Sequence, residues 1–134
     1  MSKLAIIGLD GVSWEIMDSI IGEGYFNVVS EILDRSLKAN LISTDPPWTP
    51  HAWTSIASGV NPGKHEIYSF YNVKKLDRSF QSTLVTGREA CYPRIHEILS
   101  LLKVKNLVAN LPATYYTQAY VKKYSVVSDR LVHQ

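Results

Sequence analysis

A chain of 134 residues, 46% hydrophobic and 19% charged, has the size and composition of one globular domain and can bury roughly two-thirds of its unfolded surface. A formal net charge of +2, carried by scattered lysines and arginines, argues against a nucleic-acid-binding surface. The single cysteine, Cys91, excludes an intrachain disulfide, and the apolar run near the start is too short for a leader core or a membrane span. These totals lead us to expect a soluble cytoplasmic protein with no membrane partner and no nucleic-acid module.

The pattern along the chain predicts alternating strands and helices, hence an α/β fold with a mostly parallel sheet flanked by helices. "KLAIIGL" (3–9) is a continuous apolar run of the kind that fills a central parallel strand covered on both faces. Ser13 then offers a cap for a helix through "WEIMDSII", with Trp14, Met17 and Ile21 on one face and Gly22 and Gly24 as stops. A second helix is expected over 26–35, with Phe26, Val29, Ile32 and Leu33 inward, and a strand over 37–43. Pro46, Pro47 and Pro50 interrupt regular structure until a short helix runs from Pro50 to Ala57, closed by Gly59 and "NPGK".

"EIYSFYNV" (66–73) alternates and predicts a strand, and "VKKLDRSF" predicts a loop or a hairpin into "QSTLVT" (81–86). "YPRIHEILSLLK" (92–103) predicts a helix with Pro93 in its first turn and Ile95, Ile98, Leu99 and Leu102 on its inner face. "KNLVANL" (105–111) predicts another parallel strand, and "YSVVSD" (124–129) is compatible with one.

Open α/β sheets carry their functional groups at the carboxyl ends of strands. Asp10 lies there, between Gly8 and Gly11 in "GLDG". Its carboxylate can bind a cation, and it can equally serve as a turn or cap residue. The glycine spacing does not make a dinucleotide fingerprint. Thr49, in "DPPWTPHAWTS", precedes Pro50 and so is placed as a helix N-cap. The same position suits a nucleophile: a helix N-terminus favours a phosphate, although a threonine hydroxyl needs a base or a metal to be activated.

"AIIGLDGVSWEIMDSII", followed by "STDPPWTPHAWTSIASGVNPGKHEIYSF", resembles the N-terminal half of the alkaline phosphatase superfamily, in its type I phosphodiesterase/nucleotide pyrophosphatase branch. The resemblance runs in register over 4–72 and more loosely over 92–116. It implies an alkaline-phosphatase-like core and hydrolysis of a small phosphate mono- or diester. It implies that Asp10 is a metal-binding aspartate, that Thr49 is the metal-bound nucleophile, and that the cofactor is a divalent metal, zinc as a rule. His65 matches a family histidine that reads as structural. His51 and His96 receive no role.

The remaining metal ligands of the family lie further downstream in longer chains. "VVSDRLVHQ" nonetheless places Asp129 and His133 at i, i+4 and resembles the branch's D-R-x-x-H metal motif, through an internal deletion or by chance. Asp10, Thr49, Asp129 and His133 do not complete a two-metal set, so a shortened fold is expected, with a metal site that this chain alone leaves incomplete. Two readings therefore stand: a metal-dependent phosphodiesterase or phosphatase using Thr49, and an inactive shortened relative that self-associates as a structural or binding protein. Apolar edges left uncovered by shortening favour a homo-oligomer.

Overall fold

The computed structural model describes residues 3–115 and 124–127. The chain divides into two compact units, Met1–Ile42 and Ser43–Gln134, each described by itself below. No helix among the described residues is long and apolar enough to cross a membrane.

In the first unit, helix α1 (Trp14–Gly22) starts where the sequence marks it, with Ser13 as N-cap accepting from the Ile16 N–H at 3.4 Å. The chain reverses after α1 through Gly24, whose φ of 83° is a left-handed conformation glycine adopts without penalty. Helix α2 (Asn27–Leu33) follows. The segment after α2 returns to α1 through polar groups. The Trp14 indole N–H donates to the Ala39 carbonyl at 3.0 Å, and Lys38 lies 4.7 Å from the Trp14 ring while pairing with Asp18 at 2.8 Å. That ion pair is exposed and contributes little by itself. Met17 is the buried apolar residue among the described residues of this unit.

The strands expected at 3–9 and 37–43 are not formed, and their apolar side chains are exposed. A continuous apolar run reports a segment that gains by burial, but a strand exists only when a neighbouring backbone completes its hydrogen bonds. No such neighbour pairs with either run among the described residues.

The second unit begins with a proline-rich turn containing a cis Asp45–Pro46 peptide. Helix α3 (Thr49–Ser58) ends at Gly59, whose φ is 72°, and α4 (Pro62–His65) follows. Strands β1 (Tyr71–Leu76) and β2 (Ser79–Leu84) form an antiparallel hairpin closed by Asp77 and Arg78, with Tyr71 opposite Leu84 and Leu76 opposite Ser79. The expected hairpin is thus present, though its first strand starts at 71 rather than 66. Helix α5 (Ile95–Leu101) leads into β3 (Asn106–Ala109), which pairs in parallel with β4 (Tyr124–Val127). The described residues therefore mix helix and strand in two two-stranded ladders, one antiparallel and one parallel, and the extended parallel sheet is not formed among them.

Two further corrections concern α5. Pro93 precedes the helix instead of opening it, because Arg94 takes the N-cap. The buried residues are His96, Glu97 and Ser100, whereas Ile95, Ile98 and Leu102 are exposed. Helical spacing identified the two faces, but the buried one was decided by electrostatics. Arg94 and Glu97 are 2% and 1% exposed. The guanidinium donates to Glu97 Oε1 at 2.8 Å, to the Ala113 carbonyl at 2.8 Å and to the Gly87 carbonyl at 3.1 Å. Glu97 Oε2 accepts from the Arg94 backbone N–H at 2.7 Å, the acidic half of a capping box. Ion pairing and backbone carbonyls together satisfy a charge that could not otherwise be buried. Among the described residues of the unit, the apolar cluster is small: Ile67, Val85 and Ala90.

Candidate functional site

Thr49 opens α3. The Trp48 carbonyl accepts the first helical bond, from the Ala52 N–H at 3.0 Å, so Trp48 is the N-cap and Thr49 the first helical residue. This corrects the expectation that Thr49 caps the helix. The reason lies one residue earlier: Pro46 turns the chain so that its carbonyl accepts from the Trp48 N–H at 2.9 Å, and the helix closes directly after. Thr49 is half-buried and lines a cavity of about 320 Å3 with Pro47, Trp48, Pro50, Ser69 and Phe70. The cavity lies against the N-terminus of α3, where the helix dipole places partial positive charge. Its walls are mainly apolar and aromatic, with the Thr49 and Ser69 hydroxyls as polar groups.

Two histidines sit behind this turn, and their hydrogen bonds set them apart. His65 is fully buried. Its Nδ1 accepts from the Ile67 N–H at 3.1 Å, so the proton is on Nε2, which donates to Ser55 Oγ at 2.9 Å. Burial, with His51 nearby, pushes its pKa below the ordinary imidazole value. Both nitrogens are engaged, and His65 joins α3 to the end of α4 as a structural residue.

His51 is 4% exposed. Its Nδ1–H donates to the Pro46 carbonyl at 3.2 Å. Its ring stacks on Trp48, with centroids 6.0 Å apart and planes at 14°, and meets Tyr68 edge-on at 5.7 Å. Its Nε2 is buried with no hydrogen-bond partner among the described residues.

Asp10 lies in the first unit, exposed, in a turn where Gly11 has a φ of 69°. Its carboxylate and the Thr49 hydroxyl are oxygen donors of the kind hard divalent ions accept. Asp129 and His133 lie outside the described residues. Among the described residues, no three His, Cys, Asp or Glu side chains gather as a metal-binding group. His96, given no role by the sequence, is buried on α5.

The cavity walls at Trp48, Ser69 and Phe70 escaped the sequence reading. Residues 66–70 alternate like a strand, which hid the turn that brings Ser69 and Phe70 to the start of α3. The bend lies at 69–70, and Glu66, with a left-handed φ of 62°, ends α4 ahead of it.

Residues 4–88 match the family model described as type I phosphodiesterase / nucleotide pyrophosphatase. No curated protein and no solved structure gives a significant match.

Proposed function

Because the chain belongs to the type I phosphodiesterase/nucleotide pyrophosphatase family, we propose that it is a phosphodiesterase- or phosphatase-like hydrolase with Thr49 as nucleophile, built on an alkaline-phosphatase-like core. The observation that carries this reading is the placement of Thr49. It opens α3 and lines a cavity at the positive end of that helix.

In the proposed reaction, Thr49 Oγ attacks phosphorus in line with the leaving oxygen and gives up its proton to solvent. The phosphorus–oxygen bond to the leaving alcohol breaks, and water then cleaves the threonine phosphoester and releases phosphate or a phosphomonoester. The helix end favours the phosphoryl charge, and the Trp48 and Phe70 walls favour an ester with an apolar or aromatic group. By the family resemblance, Asp10, Thr49, Asp129 and His133 are this chain's candidate ligands for a divalent ion, zinc as a rule, and they form an incomplete set. When bound, that ion lowers the hydroxyl pKa and offsets phosphoryl charge.

The test is hydrolysis of nitrophenyl phosphate and bis-nitrophenyl phosphate with added zinc or manganese, compared with Thr49→Ala. Turnover that disappears in the variant, with a mass adduct on Thr49 in the parent, supports the proposal. Turnover that survives the substitution overturns it.

One observation favours the alternative, an inactive relative that self-associates. Leu37, Ile42 and Ile7 are 100%, 95% and 84% exposed, more uncovered apolar side chain than a stable monomer ordinarily presents. The alternative expects a homodimer by light scattering and no turnover with either ester. A monomeric mass refutes it.

A further inference from the structure

We propose that His51 is a positioning residue: it fixes the Pro46–Trp48 turn from which Thr49 enters the cavity. This inference rests on the reading of Thr49 given above only for its catalytic consequence.

Three donors converge on the Pro46 carbonyl. Thr44 Oγ1 reaches it at 3.1 Å, the Trp48 N–H at 2.9 Å and the His51 Nδ1–H at 3.2 Å. The first two belong to the turn itself. Of these donors the third comes from within α3, so His51 is a side-chain tether from the helix to the Pro46 carbonyl, beside the backbone bond from the Ala52 N–H to Trp48. A carbonyl oxygen only accepts, so Nδ1 carries the ring proton and the tautomer is set. The ring then fills the space between Trp48 and Tyr68, holding the indole that forms one cavity wall. One imidazole thereby fixes both the backbone before Thr49 and the side chain beside it.

The choice of histidine argues for this role over simple packing. The ring sits between two aromatic side chains, where phenylalanine would pack as well. Phenylalanine would also remove the buried Nε2 acceptor, which has no partner among the described residues and therefore counts against stability. What histidine supplies and phenylalanine cannot is the Nδ1–H on Pro46. His65, at the end of α4, satisfies both nitrogens and shows what a structural histidine of this unit looks like.

The experiment compares the full-length parent with His51→Phe and His51→Asn. Asparagine keeps a donor near the Nδ1 position while losing the ring. Three quantities are read: Tm, hydrogen exchange of the Trp48 amide by NMR, and kcat and KM for bis-nitrophenyl phosphate with manganese. In His51→Phe we expect Tm at or above the parent value and Trp48 amide exchange faster by about tenfold. We expect kcat to fall by about 10- to 100-fold with KM little changed, as displacement of a reacting group predicts. His51→Asn is expected to recover most of the exchange protection and of kcat. Unchanged Trp48 exchange in His51→Phe overturns the proposal whether or not the parent is active. An unchanged kcat alongside faster exchange also overturns it. A parent without turnover overturns the Thr49 reading separately, and the exchange rates then decide the claim about the turn.

Discussion

Arg94→Ala is expected to destabilise the second unit by about 4 kcal/mol. In the folded protein the Glu97 carboxylate is 2% exposed as a side chain and lies 2.8 Å from the Arg94 guanidinium. Removing the guanidinium leaves that carboxylate buried with the Arg94 backbone N–H as its remaining described donor, and takes a donor from the Ala113 and Gly87 carbonyls. Breaking one side of a buried ion pair costs about 3–5 kcal/mol, and the two carbonyls put this case in the middle of that range or above. Against a total stability of about 5–15 kcal/mol, the loss is large. With an m-value of about 2 kcal/mol/M in urea, the denaturation midpoint falls by about 2 M.

The paired change Arg94→Met with Glu97→Leu separates burial of charge from loss of packing. It removes both charges and is expected to recover most of the loss, leaving the cost of the two carbonyls. The assay is urea denaturation followed by circular dichroism at neutral pH. A midpoint shift below about 0.5 M for Arg94→Ala would show that the pair does not hold α5 to the 87 and 113 loops, and the account of why α5 buries its polar face would fail.

Two other predictions concern ionisable groups and backbone. Burial, followed by the charge of Arg94, pushes the His96 pKa down to about 4. The unfolded imidazole titrates at about 6.5, so the unfolded state takes up protons first on acidification. Stability from His96 is therefore full above about pH 6.5 and is lost progressively as pH falls toward about 4, by roughly 3 kcal/mol in all. His96→Gln should flatten the urea midpoint between about pH 7 and 5, and an unchanged slope would refute the assignment. Glu66 holds a φ of 62°, so Glu66→Gly is expected to stabilise by about 1 kcal/mol in thermal denaturation. Its carboxylate also accepts from the Cys91 thiol at 3.2 Å, and that hydrogen bond first, then burial, raises the thiol pKa. The same substitution should therefore speed alkylation of Cys91 at about pH 8, and an unaltered rate would remove Glu66 as the cause.

Local chemistry made several elements legible from residues alone. Ser13 before an apolar face predicts α1 and its cap, the hairpin is one of the two readings of "VKKLDRSF" ahead of "QSTLVT", and the family follows from "GLDG", "PPWTP" and "SGVNPGKH" at their separations. Each depends on contacts within a few residues, or on identity in register, and no distant partner is needed. What the chain's segments pair with was decided only in three dimensions. The runs 3–9 and 37–43 carry strong apolar pattern and no ladder, because a strand's backbone groups need a partner that pattern does not name. On α5, spacing separated an apolar face from a polar one, and the Arg94–Glu97 pair with its two carbonyls placed the polar face inside. The shift of the cap from Thr49 to Trp48, and the tether from His51 to Pro46, likewise arise from a backbone turn whose carbonyl direction no residue type specifies.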